Sequence, residues 1–413
     1  MADLNVNEAR IRAMIEGLAQ FTATPGAGTT RLTYSEEHRG ARAFLLEQME
    51  KAGLVTREDA VGNLFGRIEG QRPDLAPVLV GSHFDSVPNG GAFDGPAGVV
   101  AGIETAFVFQ DLGLRPERPV EIIAMIEEEG SRFGGGLFGS RLLTGQVGQA
   151  DLDTMADHDG VSVAQAMRAF GLDPEKAADV ALAEGAVHAF LELHIEQGPV
   201  LEESADDVAF VTEIVSLTQL EVTLTGAAGH AGTTPMTGRK DALVAASGII
   251  AGLPELVAGI DPSAVATVGR MSVAPGGANV IPNHVSFSVD IRAAKKEIVA
   301  RIVAALKERL AALDAGGIGH SVAEAIFIPE TPMSDAVFDA FAASADAAGI
   351  RWRRMPSGAG HDAMILSAIT QTGLVFVPSR DGISHAPEEW TDYADLALGV
   401  EVIFRATRRI AGA

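Results

Sequence analysis

In the first 21 residues apolar side chains recur at helical spacing, at Ile11, Met14, Ile15, Leu18 and Phe21, with acidic residues between them. Ser35 stands ahead of a second such stretch and is placed to cap a helix reaching about Ala52. The period then changes. The run 77–83 (PVLVGSH) predicts a short apolar strand, and 95–110 (GPAGVVAGIETAFVFQ) an apolar helix rich in small residues. A second buried strand is expected over 119–130 (PVEIIAMIEEEG) and a third over 189–198 (AFLELHIEQG). Apolar strands alternating with helices predict an open, parallel or mixed α/β sheet. Ligands of such sheets bind beyond the carboxyl ends of the strands, and each of these strands ends in His, Asp or Glu.

From about Glu213 to Phe327 the order of elements differs. Strands are expected near 219–226 (QLEVTLTG), 264–273 (AVATVGRMSV), 284–292 (HVSFSVDIR) and 320–327 (HSVAEAIF), with helices over 239–253 and 295–313. This predicts a separate α+β module of about a hundred residues, inserted into the first domain. After Pro329 the α/β pattern returns with a helix over 334–347, a strand over 373–378 and a closing helix from about Tyr393 to Ile410. The expected division is 1–212, 213–327 and 328–413, the outer parts forming one domain. The Ala-rich stretch 162–188 reads as solvated helix.

Charge narrows the function. Lys and Arg number 31 against 55 Asp and Glu, a formal net charge of −24. That argues against nucleic acid or an anionic membrane as partner, because both demand a basic surface. A small anionic substrate needs only one or two local arginines. There is no cysteine, which removes disulfides, thiol nucleophiles and zinc-thiolate sites together, so any metal must be held by His, Asp and Glu. No stretch is expected to match the ~20 apolar residues of a membrane helix. The first residues lack the basic segment and continuous apolar core of a signal peptide, and the expected location is the cytoplasm.

Five residues form a candidate metal set: His83 and Asp94 in GSHFDSVPNGGAFDG (81–95), Glu129 at the end of Glu127-Glu128-Glu129, His194 in HIEQG and His385 in SRDGISHAP. Two divalent ions ~3.5–4 Å apart need a carboxylate between them, and Asp94 is the plausible bridge. Strand alternation places Glu127 and Glu129 on one face and Glu128 on the other, while a twisted strand end lets neighbours serve one site. Asp85, two residues after His83, is placed to accept the hydrogen bond of a ligand imidazole. Each fragment alone also fits a plainer reading: a capping histidine, a solvated acidic turn, a Gly/Asp turn. Gly134-Gly135-Gly136 is followed by no GxxxxGK[ST] and is not read as a phosphate loop. His38, His158, His188, His284 and His320 have no motif around them.

Taken in order, the motifs decide more than the spacing. TRLTYS (30–35), GNLFGR (62–67), GSHFDSVPNGGAFDG (81–95), EEEGSRF (127–133), HIEQGPVLE (194–202), GHAGTTPM (229–236), GGANVIP (276–282), DIR (290–292), SGAGHDAM (357–364) and VPSRDGISHAPEEWT (377–391) run over nearly the whole chain. The sequence resembles the hydantoinase/carbamoylase amidases, the metal-dependent group with N-carbamoyl-L-amino-acid hydrolase, β-ureidopropionase and allantoate amidohydrolase, in the dinuclear-metal aminoacylase/carboxypeptidase clan. The resemblance implies an α/β metallopeptidase-like catalytic domain, a mixed sheet flanked by helices, interrupted by an α+β ferredoxin-like lid and dimerisation domain. It implies two divalent ions per subunit (Zn, Mn, Co or Ni), one held by His83, Asp94 and His194 and the other by Asp94, Glu129 and His385. Glu128 matches the general base that takes a proton from water and passes it to the leaving nitrogen. His230 matches a lid residue that steadies the oxyanion, often in the partner subunit. Asn279 and Arg292 match lid residues that hold the substrate carboxylate, and Gln197 and His361 match positions lining the pocket. Domain closure is expected, since these residues come from two modules.

Within the family, Gly134 after Phe133, Arg141 after Gly139-Ser140, GGANVIP and SRDGISHAPEEWT resemble the carbamoyl-amino-acid branch, while TRLTYS and EEEGSRF lean towards the allantoate enzymes. The expected reaction is hydrolysis of N-carbamoyl-L-amino acids to amino acid, CO2 and ammonia by a homodimer. Allantoate and N-carbamoyl-β-alanine are the alternative substrates. A non-catalytic binding protein on the same fold would have lost its base or ligands, and none is lost. HIEQG and GHAGTTPM disfavour a peptidase.

Overall fold

The computed structural model describes residues 5–413. The chain divides into two compact units, Met1–Glu213 with Pro332–Ala413, and Ile214–Thr331.

The first unit is built on a nine-stranded mixed sheet. From one edge the strands run Val55–Glu58, Leu64–Ile68, Val120–Met125, Val78–His83, Ala189–Ile195, Gln371–Val377, Val208–Ile214 and Thr331–Pro332, with Trp352–Ser357 also paired to Val208–Ile214. The four central strands are parallel: Val78 pairs with Val120 and with Ala189, and Gln371 with Ala189. Three of the four are buried at every position, as expected for strands covered on both faces. Alternation along Ala189–Ile195 shows the two covers. Leu193 packs against Gly399 in the helix Tyr393–Ala411, while Glu192 on the other face accepts a hydrogen bond from Ala363 N in the helix Asp362–Leu366.

The helix Pro96–Asp111 crosses from Val78–His83 to Val120–Met125 and is almost entirely buried. Its small residues allow this, since a Cβ at Gly98 would lie 2.4 Å from Leu193 O. Pro96 supplies a preset first turn. Helix Glu8–Leu18 is capped by Asn7 and buries Ile11, Met14, Ile15 and Leu18. Ser35 caps Glu36–Lys51 by accepting from His38 N.

The second unit has a five-stranded sheet in the order Met271–Ala274, His284–Ala293, Ser216–Thr225 and Gly319–Ile328, with Val265–Thr267 beside His284–Ala293. All pairings are antiparallel. With helices Ala242–Ala251, Leu253–Ile260 and Lys296–Ala311 between them, the strands give the βαββαβ succession and 4-1-3-2 order of a ferredoxin-like module. Alternate residues of His284–Ala293, namely Val285, Phe287, Val289, Ile291 and Ala293, are buried against Val299, Ile302, Leu306 and Leu310.

Several local expectations are corrected. The strand expected over 119–130 ends at Met125. The Ala-rich stretch is a helix Val163–Phe170 and a 3-10 turn Pro174–Val180, not one solvated helix. Val163, Ala164, Ala166, Met167 and Phe170 are buried, because their spacing makes one apolar face. The stretch 264–273 is two short strands, and Trp352–Ser357 is a strand the alternation does not announce. Ala242–Ile260, 19 residues long with a mean hydropathy of 1.9 in an 18-residue window, does have the length and apolarity to cross a membrane. It is two helices joined at Gly252, the second with Pro254 in its first turn, and Ala242, Ala246, Ile249, Leu253, Leu256 and Val257 sit in the core of the second unit.

Candidate metal centre and active site

The ends of the four parallel strands bring the candidate ligands together. His83 closes Val78–His83, and Asp94 lies in the loop that leads into Pro96–Asp111. Glu128 and Glu129 follow Val120–Met125, His194 is next to last in Ala189–Ile195, and His385 follows Gln371–Val377. Gly95, at φ +80°, lets the loop cross the imidazole, since a Cβ there would lie 2.4 Å from the His83 ring.

Asp94 is the centre of this cluster. Its Oδ1 lies 3.1 Å from His194 Nε2 and 3.6 Å from His83 Nε2, and its Oδ2 lies 3.2 Å from His385 Nε2. His385 Nε2 is 3.5 Å from Glu129 Oε2, and His83 Nε2 is 3.7 Å from Glu128 Oε2. The triads His83–Asp94–His194 and Asp94–Glu129–His385 each gather their donor atoms within 4.8 Å. Two ligands at ~2.1 Å from a tetrahedral ion lie about 3.4 Å apart, so these spacings fit two ions sharing Asp94. The His194 Nδ1 hydrogen bonds to Ile195 O at 2.9 Å, which puts the proton on Nδ1 and leaves Nε2 as a lone-pair donor.

Asp85 lies beyond the strand that ends at His83. Its Oδ1 is 3.5 Å from His83 Nδ1. Its carboxylate also accepts from the backbone N–H of Glu128 at 3.1 Å and of Glu129 at 3.2 Å. The expected alternation of the three glutamates fails because Glu127 has φ +52°. Glu127 turns away, where its Oε1 accepts from Arg132 N and Phe133 N, and Glu128 and Glu129 both face the cluster. Gln197 and His385 also have positive φ, at +59° and +56°, a conformation that costs such residues about 1–3 kcal/mol and concentrates at functional sites. Gln197 is held by its N–H to Ser379 Oγ at 3.0 Å, and its Nε2 donates to Asp94 Oδ2 at 2.7 Å. His361 is buried, 2.9 Å from Ser357 Oγ, with its ring edge-on to His194 at 4.6 Å.

The electrostatics follow from crowding charges in a dry place. Burial pushes Glu128 well up, offset by His83 and reinforced by Glu129. Burial and the charge of Asp94 push Glu129 up to about 7. For Asp94, burial acts upward, but His194, His385 and His83 outweigh it and hold the carboxyl well below its usual range. Burial would lower His83, yet Glu128, Asp85 and Asp94 raise it well above the usual value. Three imidazoles and four carboxylates arranged to compensate one another are what a cation site requires.

Three candidates lie in the second unit. His230 and Asn279 are brought together by the short pairing of Gly229–His230 with Val280–Ile281, where Ala231 N donates to Asn279 O. His230 Nδ1 accepts from Gly232 N at 3.0 Å and Thr233 N at 3.2 Å, so a neutral His230 carries its proton on Nε2 and presents a donor. Arg292 lies on His284–Ala293, where its Nε donates to Asp290 Oδ1 at 2.8 Å.

Sequence reasoning assigned no role to Ser384, Glu389 or Glu192. Ser384 Oγ lies 2.7 Å from Asp94 Oδ2 and 2.8 Å from Glu389 Oε2. Glu192, two residues before His194 and on the same face, accepts from Ser82 Oγ at 2.7 Å beneath the cluster. The available signal was position, since each adjoins a ligand motif.

The family model of peptidase family M20/M25/M40 matches residues 79–409. The chain is 44% identical to an N-carbamoyl-L-amino-acid amidohydrolase of Paenarthrobacter aurescens, over 97% of both chains. It is 36% identical to an allantoate amidohydrolase of Bacillus subtilis, over 94% of both. The crystal structure of an amidase of the hydantoinase/carbamoylase family from Burkholderia vietnamiensis superposes with a TM-score of 0.94 at 34% identity, covering 100% of this chain and 99% of that one.

Proposed function

The chain belongs to peptidase family M20/M25/M40 and to the hydantoinase/carbamoylase amidases, and from that premise we propose that it hydrolyses N-carbamoyl-L-amino acids to the amino acid, CO2 and ammonia. The observation that carries this reading is the division of Asp94. One oxygen faces His83 and His194, and the other faces His385 beside Glu129. The 44% identity to an N-carbamoyl-L-amino-acid amidohydrolase favours that substrate over allantoate. Allantoate is the second reading, favoured by the 36% identical relative.

In this reading His83, Asp94 and His194 hold one divalent ion and Asp94, Glu129 and His385 the other, with Zn, Mn, Co and Ni all suited to the donor set. Ions held there would supply Lewis-acid polarisation of the carbamoyl carbonyl, a poor electrophile, and a lowered pKa for water. Glu128 takes a proton from the attacking water and delivers it to the amino-acid nitrogen as the C–N bond breaks. The carbamate left behind decomposes to CO2 and ammonia. His230 gives its Nε2–H to the oxyanion. Arg292, a planar fork that a lysine cannot mimic, and Asn279 hold the substrate carboxylate. Gln197 and His361 line the pocket, and Asp85 orients His83 and the Glu128–Glu129 backbone.

The reading includes a homodimer through the second unit. It also includes a cytoplasmic location.

The test is amino-acid release from an N-carbamoyl-L-amino acid by metal-loaded enzyme. Activity should vanish on chelation and return with added ion. Glu128→Gln should keep its metal and lose about 10²–10⁴-fold in kcat. Full turnover by that variant would remove Glu128 as the base.

A further inference from the structure

We propose that Glu389 is a positioning residue that locks Asp94 and the Ser384–His385 turn into one frame, so that the Asp94 carboxylate can face both ligand sets at once. The proposal rests on the reading of Asp94 as the shared ligand. Glu389 is 4% exposed, whereas its neighbour Glu388 is exposed. A carboxylate is not buried without donors to satisfy it, and here three converge. Glu389 Oε1 accepts from Phe93 N and Asp94 N, both at 3.0 Å, and Oε2 faces Ser384 Oγ at 2.8 Å.

Those donors come from segments almost 300 residues apart. One carries Asp94 and the other carries His385. Ser384 Oγ is also 2.7 Å from Asp94 Oδ2, the oxygen that faces His385, so its single proton lies between the two carboxylates and ties them together. A rotation of the Asp94 carboxylate that dropped one ligand set would break the Ser384 contact, and a shift of its backbone would break two bonds to Glu389. The loop passes close against this carboxylate. A Cβ at Gly91 would lie 2.0 Å from Glu389 Oε1. Phe93 and Trp390 seal the joint with rings 5.4 Å apart, edge to face. Partners behind a metal ligand set its orientation, and their loss typically weakens metal binding about 10–100-fold.

The experiment measures zinc affinity of chelator-stripped protein by competition with a chromophoric chelator, alongside melting of the metal-free protein. Glu389→Ala should bind zinc about 10–100-fold more weakly, with kcat reduced at saturating metal and KM little changed. Glu389→Gln should recover most of the affinity. Its amide oxygen can still accept the two backbone N–H groups, and its NH2 can donate to Ser384. Zinc affinity of Glu389→Ala equal to that of the parent, with only a lowered melting temperature, would make Glu389 a structural residue and overturn the proposal. If Glu389→Ala does not fold, Ser384→Ala decides, with weaker zinc binding expected and parental affinity overturning it. Asp94→Asn is the control on the underlying reading. If that variant binds two ions as the parent does, the shared-ligand reading fails and this proposal falls with it. If only Asp94→Asn loses zinc, the reading stands and Glu389 alone is ruled out.

Discussion

The backbone N–H of Glu128 donates to Asp85 Oδ1 at 3.1 Å. That bond joins the end of one strand to the turn after its neighbour, and the second oxygen of the same carboxylate takes the N–H of Glu129. Asp85 needs two acceptors to do this. Asp85→Asn would aim an amide NH2 at a backbone donor, so it should be no better than Asp85→Ala. Both are expected to lower zinc affinity about 10–100-fold, measured by chelator competition. An Asn variant with parental affinity would show that the two N–H bonds do not matter.

Arg292 meets Asp290 on its own strand, Nε to Oδ1 at 2.8 Å, and Asp290 also accepts from Gln219 Nε2 at 3.1 Å. The guanidinium is thereby held in one orientation. Arg292→Ala should raise KM for carboxylate substrates about 10–100-fold, the worth of a charged hydrogen bond, with zinc content unchanged. Arg292→Lys should not restore it. Unchanged kcat/KM would remove Arg292 from the substrate site.

His230 offers a donor nitrogen because two backbone N–H groups occupy its Nδ1. His230→Ala should lower kcat/KM by about 10²–10³ while both ions stay bound. Mixing that chain with Glu128→Gln chains should restore part of the activity if His230 serves the partner subunit's site. No recovery would assign it to its own subunit.

His38 is a stability liability built into the catalytic unit. It is fully buried, its two ring nitrogens have no hydrogen-bond partner, and it stacks on Phe84 at 4.5 Å. Burial holds its pKa down at about 3. The neutral ring is therefore favoured in the fold, and this contribution to stability is complete above pH 6.5. It is lost as the pH falls towards 3, where the unfolded chain binds the extra proton. His38→Phe should raise stability by about 1–3 kcal/mol, the cost of the unsatisfied groups, and flatten the acid limb of a denaturant-unfolding profile between pH 6.5 and 3. An unchanged acid limb would place the sensitive group elsewhere.

The strands that build the site were legible because their apolar runs and terminal polar residues are local features. Ser35 as a helix cap was legible for the same reason. The turn at Glu127 was not, since a positive φ at a glutamate leaves no mark in composition. Assigning faces by alternation therefore put Glu128 and Glu129 apart when both face the cluster. Asp85 was read for the imidazole alone, and its second task, holding the backbone of Glu128 and Glu129, depends on a register set by strand pairing. Glu389 lay in a quoted motif without a role, because its partners are almost 300 residues away. Ala242–Ile260 misled in another way. Its helices are apolar beyond the face that meets the sheet, leaving Val244 67% exposed.

The most direct measurement is ammonia release by the metal-reconstituted enzyme on N-carbamoyl-L-methionine, N-carbamoyl-β-alanine and allantoate side by side. The highest kcat/KM is expected for N-carbamoyl-L-methionine, abolished by chelation and restored by added ion. Turnover of allantoate alone would contradict the substrate assignment while leaving the metal centre standing, and no release from any of the three would contradict the carbamoyl chemistry itself.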